Sequence, residues 1–216
     1  MQNRWLLLLI LGFISIVTVV FFWVAIRPLD LTPSEQHLGV QTLSEPTVTF
    51  VNPSKGALTP KLTIVEFSDF ECTYCAAIQP ALQAALRSYP EQIRLVWKDL
   101  PNTSAHPNSL TAAVAAHCAA RQNKFWEYHD ALFARQSYLS KDTYLQTADE
   151  LSLDLERFTT CLDSQDTLPI VEKDREEGLA LEILATPTLF IGSERIVGSI
   201  ETEDFLKLIE QQLESL

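Results

Sequence analysis

The sequence predicts an α/β fold in which a helical block separates two strand-containing halves. Three observations predict it. Near residue 62 the run LTIVEF, β-branched and aromatic, breaks into SDFEC, gives way to an alanine-containing helical pattern, and is followed by a second apolar run, IRLVW, at 93–97. Between residues 106 and 181 the apolar positions recur at helical spacing. Strand signals then return at TLFIG and ERIVG, and FLKLIEQQL closes the pattern as an amphipathic helix.

At the N-terminus, residues 5–26 read WLLLLILGFISIVTVVFFWVAI and carry no charge. As a helix they would extend roughly 33 Å, enough to cross a bilayer. The expectation is one transmembrane helix in residues 1–27, of the signal-anchor kind. A cleaved signal peptide is the rival reading, but the run exceeds the usual apolar core of about 7–15 residues and no A-x-A-like site follows. Arg4 and Arg27 flank the run on opposite sides, so the positive-inside bias is slight. The four cysteines bear on orientation, because an even set behind an export signal is expected to form disulfides in an oxidising compartment. The remainder is therefore expected on the extracytoplasmic side of the cell membrane.

Residues 28–60 hold Pro28, Pro33, Pro46, Pro53 and Pro60 among polar residues, as in a spacer, with a possible short strand at 47–51. The folded domain is expected over 61–216. Its first strand is LTIVEF, its first helix starts around Cys72 and continues through Ile78, Leu82 and Ala85 with a kink at Pro80, and IRLVW is the second strand. Four or five helices follow in an insertion spanning about 104–181. Gly192 and Ser193 join the last two strands as a hairpin turn. All 28 acidic residues but only 14 of the 16 basic ones follow residue 27, which leaves that part at −14. Nucleic acid is excluded as a partner on this charge, and its plain meaning is solubility.

The motif that carries chemistry is Cys72-Thr73-Tyr74-Cys75, at a strand-to-helix junction. Unpaired N–H groups and partial positive charge at a helix start stabilise a thiolate, which makes Cys72 the attacking sulfur. Three residues on, Cys75 can close a disulfide with it or resolve a mixed one. Half a zinc site and a purely structural bridge are the alternatives; Cys118 and Cys161 are isolated and do not form a second pair for a metal, so no metal is expected.

The stretch TIVEFSDFECTYC, with ATPTLFIG about 110 residues later, resembles the DsbA-like branch of the thioredoxin superfamily. The resemblance runs from roughly Lys61 to the C-terminus and takes in KFWEYHDALF of the insertion. It implies a thioredoxin fold with a helical insertion between its halves, Cys72 as nucleophile and Cys75 as resolving thiol, and no cofactor. Pro187 matches the family's cis-proline facing the redox pair, with the Thr186 backbone left free to pair with an extended substrate; from the sequence alone, a trans proline beginning a strand is the commoner case. Glu66, six residues before Cys72, falls where the family keeps a buried acid that could take the proton of Cys75. Its expected partner is Lys98. Thr73 and Tyr74 depart from the Pro-His pair of the best-known members, in a position that tunes thiolate stability. Ala185 replaces a frequent glycine.

Some similar proteins have a second disulfide, which assigns Cys118 and Cys161 a structural bridge, worth up to roughly 4 kcal/mol on chain-entropy grounds. His106, His117 and His129 have no metal-like spacing, Trp126, Tyr128 and Phe133 are expected to pack the helical block, and no catalytic role is expected of any of them. By the same resemblance, the expected partners are exported client proteins with free thiols and a membrane quinone-linked oxidase of the DsbB or vitamin-K-epoxide-reductase type. The function expected is disulfide introduction into exported proteins. A membrane-tethered reductase or isomerase and a redox-silent peptide-binding or chaperone module are the alternatives.

Overall fold

The computed structural model describes residues 3–25 and 43–216. Five strands, β1 (Ser54–Gly56), β2 (Leu62–Ser68), β3 (Ile93–Asp99), β4 (Thr188–Ile191) and β5 (Glu194–Val197), form one mixed sheet in the order β1–β3–β2–β4–β5. The central strands β2 and β3 run parallel and are almost continuously buried. That is why they read as unbroken apolar runs and do not alternate. A parallel pair needs a crossover, and the helix following β2 supplies it. β4 returns antiparallel on the other side of β2, then turns at Gly192 (φ +59°) into β5.

Strand parity sorts the side chains onto two faces. Ile64, Leu95, Leu189 and Ile191 pack with Ile78, Leu82, Phe205 and Ile209 in one core cluster. Val65, Phe67, Val96 and Phe190 pack with Leu181 and Ile183 in another. The crossover helix runs Thr73–Ser88 with Pro80 inside it, and the C-terminal helix runs Thr202–Glu214. Between β3 and β4 stand helices Ser109–Ala120, Phe125–Ala134, Lys141–Glu150, Leu155–Ser164 and Leu168–Ala180, with a 3-10 turn at Gln136–Tyr138. Ser140 and Asp154 cap two of them by accepting the N–H groups of Thr143 and Arg157. Cys118 and Cys161 are joined by a disulfide that ties Ser109–Ala120 to Leu155–Ser164, Cα to Cα 5.9 Å.

The N-terminal segment departs from expectation. No strand forms at 47–51; the edge strand is β1, paired antiparallel with β3. The reason lies in two buried carboxylates on Leu168–Ala180. Glu177 Oε1 accepts the Thr47 N–H, and Asn52 Oδ1, whose amide is held at 3.2 Å by Asp174, accepts the Thr49 N–H at 3.0 Å, so side chains take backbone donors that a strand ladder would need. β1 stops at Gly56, whose φ of +105° favours glycine and where a Cβ would meet Ile93 O at 2.4 Å. Packed structure thus reaches into the stretch read as spacer, of which 28–42 lies outside the described residues.

Lys98 is a second correction. It was expected to partner Glu66, but β2–β3 register places Glu66 opposite Trp97 and Phe67 opposite Lys98, so the two side chains leave opposite faces of the sheet. Lys98 Nζ instead meets Asp174 Oδ1 at 2.9 Å and Glu177 Oε2 at 2.6 Å, all three side chains buried.

Residues Asn3–Ala25 form one helix, in a unit of its own (Met1–Val40) separate from Gln41–Leu216. Among the described residues no helix is long and apolar enough to cross a membrane. In this helix the side chains described are those of residues 5, 9 and 12–23, and the rest of the uncharged run at 5–26 lies outside them.

Replacing Lys98 by methionine should strand two buried carboxylates and cost about 3–5 kcal/mol near neutral pH. Urea unfolding of the two proteins checks this. A loss under about 1 kcal/mol would mean that the ion cluster behaves like an exposed one.

Candidate functional site

The site forms where β2 ends. Residues 69–72 turn the chain out of the sheet, and the Cys72 N–H bonds back to Asp69 O at 3.1 Å. Cys72 is the N-cap of the crossover helix in an extended conformation (φ −76°, ψ 119°), and its carbonyl accepts the N–H groups of Cys75 and Ala76. One side chain of the insertion fastens this turn: Gln136 Nε2 donates to Phe70 O at 2.8 Å and Cys72 O at 2.9 Å. Across the turn lies the loop before β4, with a cis Thr186–Pro187 bond. Cys72 Sγ is 3.3 Å from Thr186 O.

The two thiols, both unpaired in this structure, sit in different surroundings. Cys72 keeps a 6% exposed rim, whereas Cys75, one turn in, is fully buried. The Cys72 thiol is pulled down to about 5. The Cys75 thiol donating to it is the largest cause; burial opposes, and the Thr186 side chain and the N–H groups of Cys75 and Tyr74 add to the lowering. The main-chain carbonyl of Thr186 acts the other way, since it can accept from the protonated sulfur only. Cys75 is pushed well up, chiefly by burial and then by its bond to Cys72, with a hydrogen bond from Ser68 opposing. Thr73 and Tyr74 between them are exposed.

Beneath the pair, Glu66 is wholly buried. Its Oε1 accepts Ser68 Oγ at 2.8 Å and Gln79 Nε2 at 2.9 Å, and the same Gln79 amide reaches Cys75 O at 3.1 Å. Burial raises the Glu66 carboxyl to about 7, against the lowering by Ser68, Gln79 and the charge of Lys55. Glu66 Oε2 finds no hydrogen-bond partner among the described residues, as suits a group that burial holds largely in its neutral form. An acid poised near neutrality and bonded to Ser68 can give or take a proton on the side of Cys75.

Of the residues singled out in the sequence, Cys72, Cys75, Glu66, Thr186 and Pro187 come together here. Lys98 belongs to the other face, and Cys118 and Cys161 are bonded within the insertion. Ser68 and Gln79 went unnoticed, although their spacing carried a signal: Ser68 is two residues beyond Glu66 on the same strand face, and Gln79 one helical turn beyond Cys75. Gln136 had no such signal. Among the described residues no group of three or more His, Cys, Asp or Glu side chains is arranged to hold a metal.

The thioredoxin family model matches residues 51–211. The chain belongs to the thioredoxin family. Within that family, its fold is similar to solved DsbA-type structures: the thiol-disulfide exchange protein alpha-DsbA2 of Wolbachia pipientis (TM-score 0.67, 22% identity, 75% of this chain and 87% of that one) and oxidised BdbD of Bacillus subtilis (0.67, 22%, 76% and 94%). The catalytic domain of Proteus mirabilis ScsC is similar too (0.66, 23%, 76% and 90%). Among curated proteins, this thioredoxin-family chain is 37% identical over 149 residues to Na(+)/H(+) antiporter NhaA 3 of Salinispora tropica, a match covering 69% of the chain and 23% of that protein. It is 29% identical over 198 residues to the antiporter NhaA 1 of Mycolicibacterium vanbaalenii, covering 91% and 32%. The chain therefore spans about a quarter to a third of the length of these curated relatives.

The acid beneath the cysteines gives a pH test. Its folded value near 7 stands above the ordinary 4.5, so the folded protein holds a proton that the unfolded chain has released. Its contribution to stability is complete below about 4.5 and is lost as pH rises through about 7. Between those limits wild type should lose about 3 kcal/mol relative to Glu66→Gln. The depressed Cys72 thiol, whose contribution runs the opposite way, is common to both proteins. Urea unfolding at stepped pH measures the difference, and parallel curves would refute it.

Proposed function

We propose that this protein is an extracytoplasmic thiol-disulfide oxidoreductase that introduces disulfides into exported proteins through Cys72 and Cys75. The observation that carries the reading is the asymmetry of the pair: Cys72 is lowered to about 5 beside the Thr186 loop, and Cys75 is raised and buried. In the oxidised enzyme a client thiolate attacks Cys72 Sγ; the Cys72–Cys75 bond breaks, and its electron pair leaves on Cys75, which takes a proton. Ser68 and Glu66 stand in line to deliver it. A second client thiolate then attacks the client sulfur of the mixed disulfide and releases Cys72 as a thiolate, a good leaving group because its conjugate acid is strong. The client dithiol is oxidised and the enzyme reduced by two electrons. An extended client segment can pair with the Thr186 backbone. Thr73 and Tyr74 tune the thiolate.

Reoxidation needs a disulfide-bearing membrane partner. A quinone-linked oxidase of the DsbB or vitamin-K-epoxide-reductase type has that chemistry, and the proton of Cys75 would then return toward Glu66. The 22 uncharged residues at 5–26 of the sequence support an N-terminal membrane tether. The Cys118–Cys161 bond supports an oxidising compartment and acts as a staple of the insertion. The antiporter names of the curated relatives suit a domain that works at a membrane; ion transport is not proposed for this chain.

Two measurements test the reading. Equilibrated with glutathione buffers, the Cys72–Cys75 pair should show a midpoint above about −200 mV, on the oxidising side of thioredoxin's roughly −270 mV. A midpoint near thioredoxin's would turn the assignment to a reductase. In cells, Cys75→Ser should accumulate client proteins as reducible adducts on Cys72, since the nucleophile remains and the resolving thiol is gone. Adducts that persist when Cys72 is also replaced by serine would remove Cys72 from the mechanism.

A further inference from the structure

The stretch Ser68-Asp69-Phe70-Glu71-Cys72 places two acids just before the sulfur proposed as nucleophile, and the first turn of the following helix adds no charge of either sign. A carboxylate in the neighbourhood of a thiolate works against it. The residues ahead of helix Ser109–Ala120 answer both acids. Glu71 accepts the N–H and the side-chain amide of Asn108 at 2.6 and 2.9 Å. Asp69, its side chain wholly buried, accepts Asn102 N at 2.8 Å, Glu71 N at 2.7 Å and His106 Nδ1 at 2.8 Å. Of these donors only His106 can carry a full positive charge. Its side chain is 26% exposed, so it exchanges protons with solvent. The charged groups facing it are Asp69, Glu71 and Cys72, and all three favour the imidazolium; burial alone would lower its pKa, and Asp69 in particular holds it above 6.5. Asp69 also accepts the Cys72 N–H through its main-chain oxygen, so the ion pair is fixed to the residue that sets the position of Cys72.

We propose that His106 is a positioning residue for Cys72: as an imidazolium on Asp69 it cancels the buried carboxylate of the residue whose main-chain oxygen holds the Cys72 N–H, and so favours the thiolate and the reduced state. The cation thus comes from outside the Cys72–Cys75 segment, whose two intervening residues, Thr73 and Tyr74, are uncharged. The inference rests on the oxidoreductase reading and adds a determinant of its driving force.

The test is the pH profile of Cys72 alkylation by iodoacetamide in the reduced full-length chain in detergent, followed by mass mapping. His106→Gln should raise the midpoint by about one unit, and the glutathione equilibrium should move toward the disulfide. His106→Arg, which keeps a cation on Asp69, should stay near wild type. In an Asp69→Asn background the His106→Gln shift should shrink to a small fraction. A depressed wild-type midpoint that stays put in His106→Gln, even with a lower melting temperature, or one that rises as much in His106→Arg, overturns the role of His106 and leaves the oxidoreductase reading standing. A wild-type midpoint in the ordinary thiol range overturns the reading on which the inference rests.

Discussion

The 3.3 Å approach of Cys72 Sγ to Thr186 O depends on two separate pieces of chain arriving at one point. One is the turn leaving β2, and the other is the loop entering β4. Both are fixed because β2 pairs with β4, Phe67 opposite Thr188 and Glu66 opposite Leu189. A one-residue slip in that pairing would carry Glu66 to the other face and take the loop away from the sulfur. The apolar packing on both sides of β2 holds the register, so the core and the site are products of one alignment.

On that frame the chemistry comes from unequal solvation. Cys72 retains a rim of solvent and receives hydrogen bonds; Cys75 and Glu66 are buried in the same sheet-and-helix layer with few polar neighbours. A negative charge is therefore stabilised at one sulfur and penalised at the other. Ser68 and Gln79 are what keep Glu66 from being an orphaned acid, and Gln79 also holds the Cys75 carbonyl.

Much of this was legible in the residues themselves. LTIVEF and IRLVW announced the first two strands, and the cysteines fell at the strand-to-helix junction where burial and helix N–H groups act. Pro187 was found only through resemblance, since nothing local distinguishes a cis proline from a trans one. The errors share a cause. Lys98 was assigned to Glu66 by proximity of type, but whether two strand residues share a face is decided by register, a pairwise property that one strand's sequence does not contain. The edge strand appeared at Ser54–Gly56 and not at 47–51 because Glu177, 130 residues away, accepts the Thr47 N–H, and Asn52, held by the similarly remote Asp174, accepts that of Thr49. The pairing of His106 with Asp69 is likewise made across the fold, where sequence spacing carries no trace of it.

Gln136 bears on how far this domain can be taken apart. Its one amide nitrogen bonds the carbonyls of both Phe70 and Cys72, so the turn that presents the redox pair is fastened to the helical insertion as well as to the sheet. The insertion is then part of what shapes the site. Transplanting the four-residue Cys-Thr-Tyr-Cys segment into a minimal scaffold would move the sulfurs without the side chain that braces their turn, and the grafted pair would answer to its new host. For anyone recombining domains of this kind, the smallest transferable unit includes residue 136.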